Sequence, residues 1–380
     1  MTNRSRLAVT LGGHLARTVG ALVLIATYIH GRQTKPMNSG YRVLAPITQD
    51  NLTIFPIVSD SVRDTRMFLT LDEGLRSGEI VITEEGGSTG LVRPRRSGLP
   101  WPERPVPIPP QNRGADVNRL LLTNKSDRPL ILLAGEIVTG GKQDRVVGKD
   151  RIIPAKSSPI DLGVFCVEPH RWVETSARFG GFDFLMAQPS VRQQAMAKKD
   201  QQAVWDEVAK SRSSMVFAAP PSAADVLGRT SSYAATMQEE VIQHQVETVS
   251  APIERSYDKL MRELRAQKAA GVVVAINGEV VWADAFASPS LFDNYWPKLI
   301  RSYAAEALEA RRHSVKASSP PSIKDAQIFM NDFSARRESI ESEPGVYRNT
   351  EIAGEDFDAF VLTSLLRGTD FDVHLAKMKK

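Results

Sequence analysis

The sequence predicts an α+β protein with an N-terminal β-sandwich or barrel-like sheet and a C-terminal helical half that contains one β-hairpin. Between residues 41 and 172, short apolar runs alternate with turn signals, a pattern typical of sandwiches and barrels. After residue 172 the chain contains long stretches without helix-breaking residues, which predict helices. Residues 271–282 hold Asn277-Gly278 between two apolar runs, and this dipeptide predicts a hairpin with a type I′ turn.

The β-rich region is predicted over residues 37–172. One short helix is expected within it, over 70–77. The proline-rich stretch 88–114 is expected to run over the surface, because proline cannot donate a hydrogen bond to a central sheet.

The helical region is predicted over residues 173–313 and should form one continuous domain with the β-rich region. Its helices are expected at 191–210, at 232–268 with an interruption at Pro252, and at 290–313. Residues 314–380 are expected to be a linker and a C-terminal extension, with one strand at 359–362.

The composition indicates a folded protein and argues against nucleic-acid binding. The chain is 42% hydrophobic and 24% charged, as ordinary globular proteins are. Residues 1–36 carry five basic and no acidic side chains, and the rest holds 43 basic against 44 acidic ones. Residues 37–380 are therefore close to neutral. Their totals show no excess of basic residues that could displace the counterions of nucleic-acid phosphates. A single cysteine excludes a disulfide framework and any multi-cysteine metal site.

The N-terminal segment contains an uncharged run at residues 18–29. Twelve residues are short for a membrane span, which needs about 20, and fit a signal-peptide core better. A translation start at Met37 is the other interpretation. We expect a cytoplasmic protein, with export or membrane anchoring through residues 1–36 as the alternative.

A cluster of glycines and charged residues interrupts the predicted strands. Gly135 and Gly140 have the spacing of a phosphate loop, but Gly141 stands at the lysine position and no Ser or Thr follows Lys142. The glycine pair can still turn backbone N–H groups toward an anion, and Lys142 and Arg145 can supply charge. The alternative is a hairpin turn with solvated charges.

A second polar cluster follows the predicted strand that holds Cys166. Glu168, His170 and Arg171 combine a carboxylate, an imidazole and a guanidinium, and Trp172 can stack on a ligand ring. The alternative is a Glu168–Arg171 ion pair with Trp172 in the core. Cys166 lies in an apolar run and is expected to be inert, because burial raises the pKa of a thiol.

Other residues are assigned no chemistry. Arg192, Gln201 and Trp205 are expected on one helix, with Trp205 packed on the sheet, and Asp284 is expected to be structural. Zinc signatures, G-x-S-x-G elbows and dinucleotide fingerprints are absent from the sequence. No catalytic residue, metal ligand or cofactor is therefore assigned. The candidate ligand-binding residues are Glu136, Gly140, Gly141, Lys142, Gln143, Asp144, Arg145, Glu168, Arg171 and Trp172.

Several runs resemble a bacterial family. LLLTNKSDRPLILLAGEIVTGGKQDRVV, VFCVEPHRW and GVVVAINGEVVWADAFASPSLFDNYWPKLIRSY are similar to the ARPP-1 domain, over about residues 41–313. The family's name implies an association with ADP-ribosylglycohydrolases and rhodanese-like phosphatases, and hence with ADP-ribose, NAD or related nucleotides. The resemblance implies no catalytic residue, and His170 departs from the glycine expected before the Arg-Trp pair.

Three functions are compatible with these features. The first is binding or processing of a nucleotide or ADP-ribose-like molecule, which requires residues 140–145 to converge with Glu168 and Arg171. The second is a non-catalytic interaction module that presents the helix at 232–268 to a protein partner. The third is a membrane-tethered envelope protein anchored by residues 18–29. Whether any bond is broken stays open.

Overall fold

The computed structural model describes residues 40–84, 119–169, 176, 178–264, 267–311 and 321–380. The signal-like or anchor-like segment 1–36, the proline-rich stretch 88–114 and residues 170–172 lie outside the described residues. Within the described ranges, no helix combines the length and the apolar character that a bilayer crossing requires.

Strands occur in two parts of the described chain, over residues 41–186 and 269–379. In chain order they are β1 (Tyr41–Val43), β2 (Ile47–Gln49), β3 (Leu52–Ser59), β4 (Leu69–Thr70), β5 (Ile80–Glu84), β6 (Arg119–Asn124), β7 (Leu130–Leu132), β8 (Glu136–Thr139), β9 (Arg145–Val147), β10 (Arg151–Ile153), β11 (Ile160–Cys166), β12 (Gly180–Met186), β13 (Ala269–Ile276), β14 (Glu279–Phe286), β15 (Arg337–Glu343), β16 (Tyr347–Ala353), β17 (Phe357–Ser364) and β18 (Phe371–Lys379).

Helices fill most of the middle of the chain. They are α1 (Leu71–Ser77), α2 (Pro189–Gln193), α3 (Gln201–Ala218), α4 (Pro221–Gly228), α5 (Tyr233–Gln238), α6 (Glu240–Leu264), α7 (Pro289–Ala310) and α8 (Ile323–Asn331), with a π-helical turn at Gln194–Lys198. The predicted first helix is confirmed as α1. It begins after Thr70 because Thr70 and Glu73 form a capping box there.

The largest sheet combines strands from both ends of the chain. Its order is β1-β3-β13-β14-β18-β17-β16-β15, with β2 also paired to β3, and all its pairs are antiparallel. The predicted Asn277-Gly278 hairpin is confirmed as β13 and β14, with φ of 52° and 83° at the two turn residues.

A second sheet is nearly closed into a barrel. Its order is β12-β8-β9-β11-β6-β5, and a bridge between Ile82 of β5 and Phe179 beside β12 brings its two edges together. A small third sheet has the order β10-β7-β4. The α+β class is thus confirmed, and a barrel-like sheet is present.

The expected division into a strand-rich first half and a helical second half with one hairpin is not confirmed. β13 pairs with β3, and the tail contributes β15 to β18 where only one strand was predicted. β18 was missed because His374 and Lys377 are buried in it, which hides the pattern of an ordinary strand. The predicted interruption at Pro252 is wrong, since α6 continues through it and the break lies at Glu239.

The core lies on both faces of the large sheet. On one face Leu52 and Ile54 of β3 pack in the same cluster as apolar residues of α6 and α7. On the other face Phe55 and Ile57 of β3 pack in a cluster with Met330 of α8. Because successive side chains of a strand point to opposite faces, β3 contributes to both clusters.

Candidate functional site

Strand register places Glu168, the described member of the second predicted polar cluster, beside the first cluster. β9 and β11 are antiparallel neighbours, with Cys166 opposite Arg145. The residues that follow Cys166 therefore lie beside those that precede Arg145. As a result the backbone N–H of Asp144 donates to the Glu168 carboxylate at 3.3 Å. We refer to residues 140–145, which connect β8 to β9, as the glycine turn.

The two glycines of this turn are required by its geometry. Gly140 has φ +131° and Gly141 has φ +50°, and both values favour glycine. A Cβ atom on Gly140 would lie 2.6 Å from Ser176 Oγ, and one on Gly141 would lie 2.4 Å from Phe179 Cζ. The turn is therefore packed closely against the segment that leads into β12.

The backbone N–H groups of the glycine turn point at oxygen atoms of the protein itself. Gly140 donates to Asp144 Oδ1 at 3.1 Å, Gly141 to Ser176 Oγ at 3.4 Å, and Lys142 to Glu84 Oε1 at 2.8 Å. Two of these three acceptors are carboxylates. The turn therefore has the backbone arrangement of an anion-binding site, and carboxylates of the same chain occupy the position of the anion.

The carboxylate of Glu84 faces both cationic side chains of this turn. Its carboxylate lies 3.6 Å from Lys142 Nζ and 3.8 Å from Arg145 Nη2. The side chain of Lys142 is 30% exposed and that of Glu84 is 17% exposed, whereas Arg145 is 2% exposed. Closure of the barrel explains this contact, because Glu84 ends β5 next to the Ile82–Phe179 bridge.

Asp144 connects the turn to the helices. Its Oδ2 accepts a hydrogen bond from Ser232 Oγ at 2.7 Å, and Ser232 in turn caps the N-terminus of α5. Gln143, the remaining turn residue, is buried and its backbone carbonyl accepts from Arg145 Nη1 at 2.6 Å. These contacts hold the turn in one conformation from both sides.

Cys166 lies beside the turn but is a poor nucleophile. Its backbone N–H and C=O both bond to the Gln201 side chain at 2.9 Å. The thiol is buried, and this burial raises its pKa to about 11, with Arg145 lowering it only in part. The thiolate is therefore scarcely populated near neutral pH.

Glu136 lies in a different environment from the glycine turn. Its Oε1 is 2.7 Å from Lys298 Nζ, which also contacts Asp72 at 2.6 Å, and its Oε2 accepts from the backbone of Leu133 at 2.7 Å. Burial raises the pKa of Glu136, and Lys298 opposes that rise. Four residues of extended chain separate Glu136 from Gly140, or about 13 Å.

Arg171 and Trp172 lie outside the described residues.

A buried ionic cluster, which the sequence did not predict, links the large sheet to α2 and to the segment between β9 and β10. His374 of β18 lies between two carboxylates, with Nδ1 2.5 Å from Asp150 Oδ2 and Nε2 3.1 Å from Asp284 Oδ1. Asp284 also accepts two hydrogen bonds from Arg192, at 2.9 and 3.0 Å. All four side chains are 0% exposed. We call these residues the core ion cluster.

Charge balance explains why the core ion cluster is stable. Burial disfavours the charged form of His374, but Asp150 and Asp284 outweigh it and raise its pKa to about 9. Burial would raise the pKa of Asp284, yet Arg192 and His374 hold it below its usual range. Two cations thus face two carboxylates, and the closed cluster has no net charge.

The expected helix that carried Arg192, Gln201 and Trp205 is wrong. The π-helical turn and Lys199, with φ +54°, separate α2 from α3. Arg192 therefore points into the core ion cluster, Gln201 binds the backbone of Cys166, and Trp205 is half-buried. Gly135 leaves room for the Arg192 side chain, because a Cβ atom at this position would lie 2.6 Å from Arg192 Cγ.

Two concavities are lined by other parts of the described chain. A groove of about 780 Å³ runs between β1 and α8, and a cleft of about 250 Å³ includes Arg63, Arg348 and Asp372. Neither is lined by the glycine turn or Glu168. Among the described residues no three His, Cys, Asp or Glu side chains are arranged to hold a metal ion.

Comparison with known proteins identifies one family. The model of the ARPP-1 domain, the ARG and Rhodanese-Phosphatase-superfamily-associated Protein domain, matches residues 40–378. The match extends past the expected limit near residue 313 and includes the C-terminal strands. No curated protein and no solved structure matches the chain.

Proposed function

The chain belongs to the ARPP-1 family, and from this premise we propose that it binds a small phosphate-bearing molecule of the nucleotide or ADP-ribose class at the glycine turn. The family's description associates the domain with ARG and rhodanese-phosphatase proteins. That association suggests the ADP-ribose class. The phosphate preference is argued from the turn itself.

The position of the Glu84 carboxylate carries this proposal. It accepts the Lys142 backbone N–H at 2.8 Å and faces the Lys142 ammonium and the Arg145 guanidinium. A backbone donor and two cations around one anionic group are also what a phosphate requires. We therefore infer that Glu84 occupies the position of the ligand phosphate when no ligand is bound.

Exchange of Glu84 for a ligand is energetically reasonable. Moving Glu84 away breaks its contacts with Lys142 and with the buried Arg145, and a bound phosphate would replace both contacts. Each charge-assisted hydrogen bond to a phosphate contributes about 1.5–3 kcal/mol. Arg145 is already buried and fixed by the Gln143 carbonyl, so a ligand need not order it. The half-exposed Lys142 provides the approach from solvent.

The proposal concerns binding and assigns no bond cleavage. Cys166, the nucleophilic residue type at this place, has a raised pKa and is buried. His374 and its carboxylates are closed to solvent within the core ion cluster. We therefore expect recognition of a ligand rather than turnover at the described residues.

The alternative of a protein-interaction module draws no support from α6. Its apolar residues face inward, and Tyr257 contacts Phe292 and Trp296 of α7 at ring distances of 6.2 and 4.7 Å. Its outward residues include the exposed, charged Arg255 and Lys259. Such a surface resembles an ordinary solvated helix face.

Isothermal titration calorimetry with ADP-ribose, AMP and inorganic phosphate tests the proposal. Glu84→Gln should bind about tenfold more tightly than the wild type, because the internal competitor loses its charge. Lys142→Ala should bind about tenfold more weakly. Lys156→Ala is the control, because Lys156 pairs with Asp127 on an exposed surface.

Two outcomes would contradict the proposal. One is the absence of binding by all three ligands to both the wild type and Glu84→Gln. The other is an equal loss of affinity in Lys142→Ala and Lys156→Ala, which would indicate nonspecific attraction by surface charge.

A further inference from the structure

A polar cleft lies at one end of the large sheet, away from the glycine turn. It forms where β16, β17 and β18 meet the segments that follow β3 and β14, and its volume is about 250 Å³. Arg63 follows β3, Arg348 belongs to β16, and Asp372 belongs to β18. Asp370 and Phe371 complete the part of the lining that matters here.

The cleft contains two guanidinium groups and two carboxylates. Among the described residues, neither Arg63 nor Arg348 has a carboxylate oxygen within ion-pair distance, although both line the same cleft as Asp370 and Asp372. Burial raises the pKa of Asp372, while a hydrogen bond from Thr363 and the charge of Arg348 lower it. The charges thus face a common space instead of neutralising one another by direct contact.

Neighbouring groups contact Arg63 and Asp372, two of these four charged residues. The guanidinium carbon of Arg63 lies 5.9 Å from the centre of the Phe371 ring, within the range of a cation–π contact. The Arg63 backbone N–H bonds to the carbonyl of Ala287 at 2.9 Å. The buried Thr363 donates to Asp372 Oδ1 at 2.6 Å, which orients this carboxylate.

Size and charge define the ligand. Sites for drug-sized molecules have volumes of about 300–1,000 Å³, so this cleft is too small for a dinucleotide or ADP-ribose. Its four charges sum to zero, which favours a ligand that carries one charge of each sign. A carboxylate on the ligand matches the planar guanidinium groups, which bind carboxylates at two points.

We propose that this cleft binds a free α-amino acid, with its carboxylate at Arg348 and Arg63 and its ammonium group at Asp372 and Asp370. The proposal uses residues distinct from those of the glycine turn, so either can fail without the other. Phe371 and the half-buried Tyr41 offer apolar surface to the ligand side chain.

Calorimetry and saturation-transfer NMR on the full chain test this proposal. Each free amino acid is titrated beside the α-hydroxy acid that has the same side chain and lacks the ammonium group. We expect at least one amino acid to bind, and its hydroxy-acid analogue to bind at least about tenfold more weakly. Lys142→Ala should leave this binding unchanged.

Variants identify the contacts. Arg348→Ala should weaken amino-acid binding by about tenfold or more, and Arg348→Lys should restore part of it. Asp372→Asn should weaken binding of the amino acid but not of the hydroxy acid. Arg336→Ala serves as the control, because Arg336 pairs with Glu355 on an exposed surface. Thermal unfolding of each variant establishes that it is folded.

Three results would overturn the proposal. The first is that no amino acid binds the wild type at millimolar concentration. The second is that the hydroxy acid binds as tightly as the amino acid, which would indicate a simple anion site. The third is that folded Arg348→Ala binds as Arg336→Ala does.

Discussion

The guanidinium of Arg192 and the carboxylate of Asp284 form a two-point ion pair that excludes water. Nη1 lies 2.9 Å from Oδ2 and Nη2 lies 3.0 Å from Oδ1, and both side chains are 0% exposed. The guanidinium also stacks over the Trp282 ring at 4.5 Å. The pair connects α2 to β14 and therefore fixes α2 against the large sheet.

Removal of the Asp284 carboxylate should strongly destabilise the protein. Asp284→Asn leaves the buried Arg192 charge uncompensated, and we expect a loss of about 3–5 kcal/mol in the free energy of unfolding. Urea denaturation followed by circular dichroism measures it. Asp64→Asn is the matched control, because Asp64 and Arg66 are 61% and 85% exposed, and its denaturation midpoint should stay close to that of the wild type. Equal midpoints for the two variants would contradict the role of the pair.

Gly135 should tolerate no side chain. Its φ is +95°, and a Cβ atom would lie 2.6 Å from Arg192 Cγ, so strain and overpacking act together. We expect Gly135→Ala to lose about 2–4 kcal/mol of unfolding free energy. Gly345→Ala has a similar φ of +73° with nothing within 4 Å, and should lose only about 1 kcal/mol. Similar melting temperatures in the two variants would show that the close approach of Arg192 to Gly135 does not matter for stability.

The charge of His374 should make stability depend on pH. Its pKa rises from 6.5 to about 9 on folding, so the folded chain holds the proton more tightly. The stabilisation is fully present below about pH 6.5 and is lost as pH rises through 9, with a total near 3 kcal/mol. The difference in unfolding free energy between wild type and His374→Gln, measured from pH 6 to pH 10, should shrink accordingly. A constant difference would mean that His374 is not protonated.

The buried Lys377 should make stability rise with pH, which is opposite to the effect of His374. Its ammonium is enclosed by three phenylalanine rings, the nearest being Phe357 at 4.0 Å, and by the carbonyls of Phe329 and Asp332. Burial lowers its pKa to about 8, and Asp332 opposes this shift only in part. The unfolded chain therefore binds the proton more tightly, so wild type should gain stability relative to Lys377→Met as pH rises from about 8 to 10.5. Urea titrations across this range should give that slope, and a flat difference would contradict the lowered pKa.

Local signals in the sequence predicted local structure. Asn277-Gly278 predicted its hairpin because a type I′ turn needs positive φ at both central residues, which Asn and Gly adopt, and the short helix predicted over 70–77 was confirmed as α1. The tail shows where this approach fails. His374 and Lys377 are polar residues in a buried strand, and their partners at positions 150, 284, 329 and 332 are distant in the chain. No local pattern marks such a strand as buried.

For the candidate site, the sequence alone identified the glycine turn and Glu168 as polar clusters beside strands, together with the family. Only the tertiary structure decided that Glu168 contacts Asp144, that Glu84 supplies the anion, and that Glu136 belongs with Lys298. The reason is physical. Backbone dihedral angles and hydrogen bonds within a few residues are determined by nearby side chains, whereas ion-pair partners depend on strand order and register, which bring distant residues together.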